Sequence, residues 1–205
     1  MSTAARIFLL SPARCDGRRA AALLSPNAEF PLAVQLRQRE GAPIGDVFAF
    51  LSGLYFRGKL AYASAFAAAD TAAQPIRVIT TNRGLLEPGY RVRPSDLVEF
   101  ARVDLSAGWA AFEEPLVRDA RRLAREIGDA AVVLLGSIAT DKYVGPLSRV
   151  FGERLLFPRE FVGRGDMSRG GLMLRCANEG RELEYVPVAN AVRHGKRPPK
   201  LETKR

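Results

Sequence analysis

The stretch AAVVLLGSIATD, residues 130–141, joins a continuous apolar run to a short polar loop. Aliphatic and β-branched residues in an unbroken run, closed by a glycine, are typical of a strand that is buried on both faces of a parallel sheet. The segment Asp141–Phe151, which comes next, is predicted to be helical. A buried strand followed by a helix is the repeating unit of an α/β domain, and the rest of the chain is interpreted around it.

Similar patterns recur on both sides of this stretch. We predict further strands at Ile7–Leu10, Phe30–Leu36, Ile76–Thr81 and Leu155–Phe157. We predict helices over residues 18–24 with Asp16 as the N-terminal cap, over Val47–Ala69 with a break near Gly53 or Gly58, and over Glu114–Ile127.

The segments LMLRCA (172–177) and RELEYVPV (181–188) are joined by NEG, which favours an antiparallel hairpin. The predicted fold class is therefore α/β, with a mainly parallel sheet that is flanked by helices and ends in that hairpin. Residues 1–192 are predicted to form a single domain, and residues 193–205 a basic, disordered tail.

The net charge of +9 favours polyanionic partners, but its distribution is uneven. The tail RHGKRPPKLETKR holds six Lys and Arg against one Glu and so supplies +5, which leaves only +4 for the body of 192 residues. The charge therefore indicates a nucleic-acid partner mainly through the tail.

Several classes of protein are disfavoured by composition. Two Cys and one His are too few for a Cys/His zinc site, so we expect no metal and no cofactor. No run reaches about 18 uninterrupted apolar residues, and the N-terminus lacks the pattern of a signal peptide. We therefore expect a cytoplasmic protein with no membrane partner.

Two short motifs invite an interpretation that we reject. GLYFRGKL, residues 53–60, has the glycine and lysine spacing of a P-loop, but Leu60 stands where that motif needs Ser or Thr to hold magnesium. An aromatic helix that covers the sheet is the better interpretation. Arg164-Gly165-Asp166 matches the adhesion tripeptide by chance, because nothing in the sequence predicts export.

Polar loops come after the predicted strands. In a parallel sheet the carboxyl ends of the strands meet at one edge, where ligands bind. SPARCDG, NRGL and GSIATDKY would bring to that edge Ser11, Asn82, Ser137, Thr140, Asp141, Lys142 and Tyr143. The sequence therefore predicts a binding site at this edge.

The glycine-rich stretch FVGRGDMSRGGL, residues 161–172, comes after the strand Leu155–Phe157 and is interpreted as a loop that closes over the same edge. Its Arg164, Ser168 and Arg169 would hold phosphate, because guanidinium groups donate in a fork that suits this anion. The alternative is a solvated loop in which Asp166 and Arg169 form a local ion pair.

Candidate catalytic residues are Asp141, Lys142 and Asp166, which can transfer protons, and Cys15 as a nucleophile. Cys15 precedes a predicted helix and several arginines, an environment that would lower the pKa of its thiol. The alternative is a structural cysteine, since the only histidine, His194, lies in the tail and cannot be expected to activate it.

Four stretches, FLLSPARC, SGLYFRGKLAYASAF, VITTNRGLLEPG and VVLLGSIATDKYVGPL, occur in an order that resembles a group of bacterial domains. This group is related to the YaaA peroxide-stress proteins and to base-modifying domains of deazaguanine pathways. The resemblance spans Ile7 to Leu147 and places Cys15, Tyr55, Gly84, Leu85 and Tyr143 at analogous positions, although no lysine closely follows Cys15. It implies an α/β fold and an association with nucleic acid or modified bases, without implying a reaction.

The leading hypothesis is a protein that binds a nucleotide, a modified base or a nucleic-acid end, with hydrolysis or transfer at a base or glycosidic bond. The alternative is a non-enzymatic, nucleic-acid-binding accessory protein that uses the tail and the helix with Arg118, Arg121, Arg122 and Arg125. The competing interpretation of those arginines is a solvated face on which they pair with Asp119 and Glu126. A purely structural protein is the third hypothesis.

Overall fold

The strands of the protein are short, and the most apolar of them are central. The structure is a computed structural model that describes residues 6–67, 74–103 and 109–199. Its strands are β1 (Arg6–Leu10), β2 (Ala42–Pro43), β3 (Ile76–Ile79), β4 (Leu85–Leu86), β5 (Arg91–Val92), β6 (Ala131–Leu135), β7 (Leu155–Pro158) and β8 (Tyr185–Pro187).

Six of these strands form one sheet in the order β4-β3-β1-β6-β7-β8, and β2 and β5 form a separate antiparallel pair. The central pairs β3–β1, β1–β6 and β6–β7 are parallel, and the edge strands β4 and β8 are antiparallel to their neighbours. Residues Ile7–Leu10 and Val132–Leu135 are fully buried. This burial on both faces explains why β1 and β6 are continuous apolar runs.

Helices cover the sheet and pack on one another. They are α1 (Arg18–Leu24), α2 (Pro31–Arg37), α3 (Ile44–Ser52), α4 (Leu54–Phe66), α5 (Pro94–Arg102), α6 (Trp109–Ile127), α7 (Asp141–Phe151) and α8 (Asp166–Glu179), with short 3₁₀ turns at Gly152–Arg154, Arg159–Phe161 and Val188–Asn190. The most extensive helix pair is α4 with α8, and α6 packs on α7.

The predicted class is confirmed: the protein is α/β, with a mainly parallel sheet flanked by helices. The predicted helix over Val47–Ala69 is also present as α3 and α4, which ends at Phe66 with Ala67 as its extended C-cap; residues 68 and 69 lie outside the described part. The break lies at Gly53, whose φ of 60° lies in the region that glycine adopts without strain.

The prediction of a strand at Phe30–Leu36 is wrong, because this segment is helix α2. Pro31 occupies the first turn, where its missing N–H costs no hydrogen bond. Ala33 and Leu36 are buried while Val34 between them is exposed, which is a helical spacing. Because most residues of the segment are apolar, the helical spacing of its buried positions could not be recognised in the sequence.

The predicted hairpin is also wrong: its second segment contains the strand β8, but its first segment is helical. Residues 172–177 belong to α8, which begins at Asp166 and so includes most of the stretch interpreted as a glycine-rich loop. Leu172, Met173 and Cys176 are buried at helical spacing, and Gly180 ends the helix in the left-handed conformation. The antiparallel partner of β8 is therefore β7, not the segment before the NEG turn.

Two local predictions need smaller corrections. Asp16 does not cap α1, because Gly17 is the N-cap and the Asp16 carboxylate pairs with Arg14 at 2.8 Å. The polar loop NRGL is shorter than predicted, since its Leu85 begins the edge strand β4.

The start of the basic tail contacts the body of the protein. Arg193 donates a hydrogen bond to the Asp141 carboxylate at 2.6 Å, and the carbonyl of Lys196 lies close to Gly163. Residues 200–205 lie outside the described part, so the disorder of the tail and the single domain over residues 1–192 stay predictions. Across the described ranges, no helix is both long and apolar enough to cross a membrane.

Candidate functional site

The polar loops after β1 and β6 lie side by side. The two strands pair in parallel with Leu10 opposite Leu135, and the backbone N–H of Ser11 donates to the carbonyl of Leu135 at 3.2 Å. The segments SPARCDG and GSIATDKY therefore leave the same edge of the sheet, as the sequence predicted. The two loops are closely packed at Gly136, where an added Cβ would lie 3.0 Å from the Ser11 Cβ.

A cleft opens at this edge and consists of two adjoining pockets. The pocket that contains Ser11, which we name the inner pocket, has a volume of about 420 Å³, and the pocket that contains Cys15, which we name the outer pocket, has about 370 Å³. Both are lined by Arg14, Lys142 and Tyr143. Six residues that were predicted for the site line the inner pocket: Ser11, Ser137, Thr140, Lys142, Tyr143 and Asp166. The structure thus brings together residues from three segments that are far apart in the chain.

The fold explains how Asp166 joins the others. It is the first residue of α8, which packs along α4, and α4 contacts β1. The N-terminus of α8 therefore reaches the carboxyl edge of the sheet. The sequence predicted a loop around Asp166, and the structure has mostly helix there. Asp166 nevertheless borders the cleft, as predicted.

The other candidates do not line the inner pocket. The Asp141 carboxylate is occupied by Arg193. Arg164 donates to the carbonyl of Glu160 and to the Ser168 hydroxyl, at 2.9 and 3.1 Å. Asn82 borders neither pocket, and its loop reaches the outer pocket through Thr81 instead.

Arg169 lies behind Asp166 and is largely buried. It donates to the carbonyl of Phe161 at 3.2 Å, and its guanidinium lies 3.8 Å from the Asp166 carboxylate. This is the local ion pair that was considered as the alternative to phosphate binding. Arg164 and Arg169 therefore bond to groups within the protein and line neither pocket, so the structure offers no support for phosphate binding by this pair.

The lowered pKa expected for Cys15 is wrong. The thiol borders the outer pocket but is buried, and burial, with a smaller effect of the Asp16 charge, raises its pKa to about 12. A thiol with so high a pKa carries very little thiolate at neutral pH. The structure favours the alternative of a structural cysteine.

Lys59 is the residue of this region that the sequence interpretation missed. It lies on α4 with no exposed surface, and its Nζ is 2.8 Å from both the carbonyl oxygen and the Oγ of Ser11. Burial lowers the pKa of this amine to about 7. One signal was visible in the sequence: Tyr55, Lys59 and Tyr62 share a helical face with spacings of four and three residues.

Two tyrosines form aromatic walls of the inner pocket. Tyr55 and Tyr143 are almost completely buried, and burial raises the pKa of both hydroxyls, that of Tyr55 to about 12. No hydrogen bond of good geometry reaches the Tyr55 hydroxyl within the described ranges, although Arg169 and Ser11 lie near enough for weak hydrogen bonds that oppose the rise of its pKa. A ligand that accepts a hydrogen bond from this buried hydroxyl would give it a better partner.

The cations of the cleft are not equivalent. Arg14 pairs with Asp16 at 2.8 Å, whereas Lys142 has no carboxylate partner among the residues that the structure describes. Desolvation, with a smaller effect of the Arg14 charge, lowers the pKa of Lys142. Lys142 lies in the first turn of α7, where the backbone N–H groups of a helix favour an anion.

The chain matches no protein-family model, and no curated protein and no solved structure is significantly similar to it. The resemblance to the YaaA group therefore stays a prediction. In the described parts of the chain, no group of three or more His, Cys, Asp or Glu residues is arranged to hold a metal ion. The geometry of the cleft is therefore the best guide to the function of the protein.

Proposed function

We propose that the protein binds a phosphorylated ligand of the nucleotide or modified-base class in the cleft at the carboxyl ends of β1 and β6. The observation that carries the proposal is Lys142, a cation without a carboxylate partner in the described residues, at the N-terminus of α7. An anionic group bound there would neutralise Lys142 and accept hydrogen bonds from the first turn of the helix.

The aromatic side chains of the cleft support a planar group on the same ligand. Tyr55 and Tyr143 line the inner pocket, and Phe100 lines the outer one together with Tyr143. Nucleic-acid bases stack favourably on such rings. The volumes of about 420 and 370 Å³ lie in the range of about 300–1,000 Å³ that is typical of small-molecule sites.

The geometry supports binding more directly than it supports cleavage of a glycosidic bond. Glycoside hydrolysis generally uses two carboxyl groups that flank the bond. Asp166 is the one carboxylate that borders the inner pocket within the described ranges, and Asp16 at the outer pocket is paired with Arg14. We also propose that Asp166 or Lys142 transfers a proton to or from the nucleobase of the bound ligand.

Thermal unfolding with AMP, ADP, GMP and inorganic phosphate tests this function. We expect at least one nucleotide to stabilise the protein, by about 2.7 kcal/mol at a concentration of 100 Kd. Lys142→Met should weaken this binding about 10-fold, because it removes a charge-assisted contact worth roughly 1.4 kcal/mol. The exposed Lys196→Met is the matched control and should bind like the unmodified protein. Equal affinity in Lys142→Met, or no stabilisation by any of the four compounds, would contradict the proposal.

A second candidate is binding of nucleic acid on the outer surface of α6. Arg121 and Arg125 are exposed and have no carboxylate partner within the described residues. They border one shallow groove whose other charged residues are Arg118, Arg149, Glu113 and Glu114, with Arg149 paired to Glu113. Against this, Arg118 pairs with Asp119 at 2.8 Å, and Arg122 pairs with Glu126 at 2.9 Å. The pairing considered in the sequence interpretation is therefore confirmed for half of the arginines.

A further inference from the structure

The contact between α4 and the end of β1 joins a lysine amine to a serine hydroxyl. Lys59 Nζ lies 2.8 Å from Ser11 Oγ and 2.8 Å from the Ser11 carbonyl oxygen. Lys59 is completely buried, and Ser11, which is itself only 6% exposed, lines the inner pocket of the cleft. A ligand in the cleft would therefore meet the serine, with the lysine directly behind it.

The surroundings of Lys59 favour the neutral amine. Its only hydrogen-bond acceptors in the described residues are the two oxygens of Ser11. An ammonium group has three N–H donors and would leave one without an acceptor, although the ring of Tyr55, 3.9 Å from Nζ, offers a partial substitute. A neutral amine has two N–H donors and a lone pair, so it can donate to the carbonyl oxygen and accept the proton of the Ser11 hydroxyl.

The charged groups around Lys59 act in opposite directions. On α8, the Asp166 carboxylate raises the pKa of the amine and the Arg169 guanidinium lowers it. On α4 itself, Tyr55 is a neutral phenol because burial raises its pKa to about 12. Tyr143 on α7 interacts with Tyr55 and is also kept neutral by burial, which raises its pKa. Desolvation is the largest influence and lowers the pKa of Lys59 to about 7, so about half of the amine is neutral at neutral pH.

We propose that Ser11 is a nucleophile and Lys59 its general base, in a reaction that transfers an acyl group from an ester of the bound ligand. A serine hydroxyl becomes a competent nucleophile when an adjacent base accepts its proton, and lysine serves as this base in Ser–Lys enzymes. The inference rests on the proposed function only for the anionic part of the substrate, which Lys142 would hold.

Each step of this reaction is balanced in atoms and charge. Ser11 Oγ forms a bond to the carbonyl carbon while its proton passes to Lys59 Nζ. The bond from that carbon to the leaving alkoxide then breaks, and the alkoxide takes the proton from Lys59. Water hydrolyses the resulting serine ester by the same path, with Lys59 accepting a proton from water and Ser11 regaining one. No oxidant, reductant or metal ion takes part.

Labelling with diisopropyl fluorophosphate tests the proposal without knowledge of the natural substrate. Ser11 Oγ attacks phosphorus, fluoride leaves, and Lys59 accepts the proton. Peptide mass spectrometry should place one adduct on Ser11, and Ser11→Ala should carry none. The labelling rate should rise with pH through a midpoint near 7, where burial places the pKa of Lys59. This pH profile uses the unmodified chain and so needs no variant to fold.

Lys59→Met tests the role of the base. The variant should label about 100-fold more slowly or worse, since general-base assistance typically contributes at least that factor. Lys196→Met and Ser95→Ala, both at exposed positions, are matched controls and should label at the unmodified rate. No adduct on Ser11, an adduct on Tyr55 or Tyr143 instead, or an unchanged rate in a folded Lys59→Met would overturn the proposal.

The two proposals fail in different ways. If Ser11 is labelled but no nucleotide stabilises the protein, the proposal that Ser11 is a nucleophile is supported and the proposal that the ligand is a nucleotide is contradicted. Stabilisation by nucleotides without labelling of Ser11 would support the binding site and overturn the nucleophile.

Discussion

At the scale of single residues, the amine of Lys59 shows how the fold sets a protonation state. It has no contact with solvent, and within the described residues its hydrogen-bond acceptors are both provided by Ser11. Burial of a lysine without a carboxylate partner penalises the charged form. The same lysine in an unfolded chain would be fully protonated at neutral pH.

This difference makes the stability of the protein depend on pH. The pKa of Lys59 is lowered from 10.5 to about 7, so between these values the unfolded chain holds a proton that the folded chain lacks. The free energy of unfolding should therefore rise with pH over this window, by up to about 1.36 kcal/mol per pH unit from this group, and this slope should vanish below about pH 7. Urea unfolding of the unmodified protein and of Lys59→Met at about pH 7.5 and about pH 9.5, both inside this window, measures it.

The unmodified protein should gain stability relative to Lys59→Met as the pH rises, because only the lysine titrates. Lys196→Met, which changes an exposed lysine, should track the unmodified protein. A difference between Lys59→Met and the unmodified protein that stays constant across the two pH values would show that the amine is charged in the fold.

At the scale of elements, the pair of α4 and α8 positions both Lys59 and Asp166. The two helices approach so closely that their backbones touch at Gly58 and Gly170. The glycines that made GLYFRGKL look like a P-loop therefore have structural roles: Gly53 ends α3, and Gly58 admits α8. Lys59 comes directly after Gly58, so a shift of α4 at this contact would also move the amine relative to Ser11.

Alanine at this contact should separate the helices. A Cβ on Gly58 would lie 2.5 Å from the carbonyl oxygen of Gly170, and a Cβ on Gly170 would lie 2.6 Å from that of Leu54. Because backbone atoms cannot yield as a flexible side chain can, each substitution should destabilise the protein by about 1–3 kcal/mol. Chemical denaturation measures the effect.

Gly145→Ala is the matched helical control. Its Cβ would meet nothing closer than 3.8 Å, so the higher helix propensity of alanine should stabilise α7 by up to about 1 kcal/mol. Stabilisation by Gly58→Ala, as at Gly145, would mean that α4 and α8 do not approach as described. Slower labelling of Ser11 in a folded Gly58→Ala would link the helix contact to the Ser11–Lys59 distance.

At the scale of the whole molecule, charge is divided between a weakly basic body and a strongly basic end. The last thirteen residues supply +5 of the net charge of +9. Arg193 at the start of this segment is paired with Asp141, so part of the charge is already neutralised. The exposed Arg121 and Arg125 on α6 are the further cations that the second candidate function would use.

Deleting residues 197–205 should therefore weaken binding of a single-stranded oligonucleotide without affecting nucleotides in the cleft. The deletion keeps the contacts of Arg193 and Lys196 with the body but removes four cations and one Glu. For every phosphate that the protein no longer neutralises, the slope of log affinity against log salt should decrease by about 0.7. Fluorescence anisotropy at several salt concentrations measures this slope.

Arg121→Gln with Arg125→Gln should reduce the same slope if α6 contributes. Arg122→Gln, which removes an arginine already paired with Glu126, is the matched control and should have the smaller effect. An unchanged slope in both the deletion and the double variant would eliminate the second candidate function, while leaving binding in the cleft to its own test.

The local sequence pattern was sufficient to predict those parts of the protein that are buried, or exposed, along their whole length. The central strands β1 and β6 are apolar at almost every position because they are covered on both faces, and the loops after them are polar because they reach the surface. The parallel class and six residues of the inner pocket could be predicted from these patterns alone. A break near Gly53 or Gly58 could be predicted from the freedom of glycine, and the structure places it at Gly53.

The other features, which include two helices and the pKa values at the cleft, depend on contacts between segments that are distant in the chain. Helices α2 and α8 were misread because short apolar segments fit either period until their partners are known. The pKa of Cys15 rises and that of Lys59 falls because of what covers them, which no neighbour in the chain reveals. Ser11 and Lys59 lie 48 residues apart in the chain and 2.8 Å apart in space. Such a pair exists only once α4 is packed on the sheet, because burial and hydrogen bonding are properties of the assembled fold.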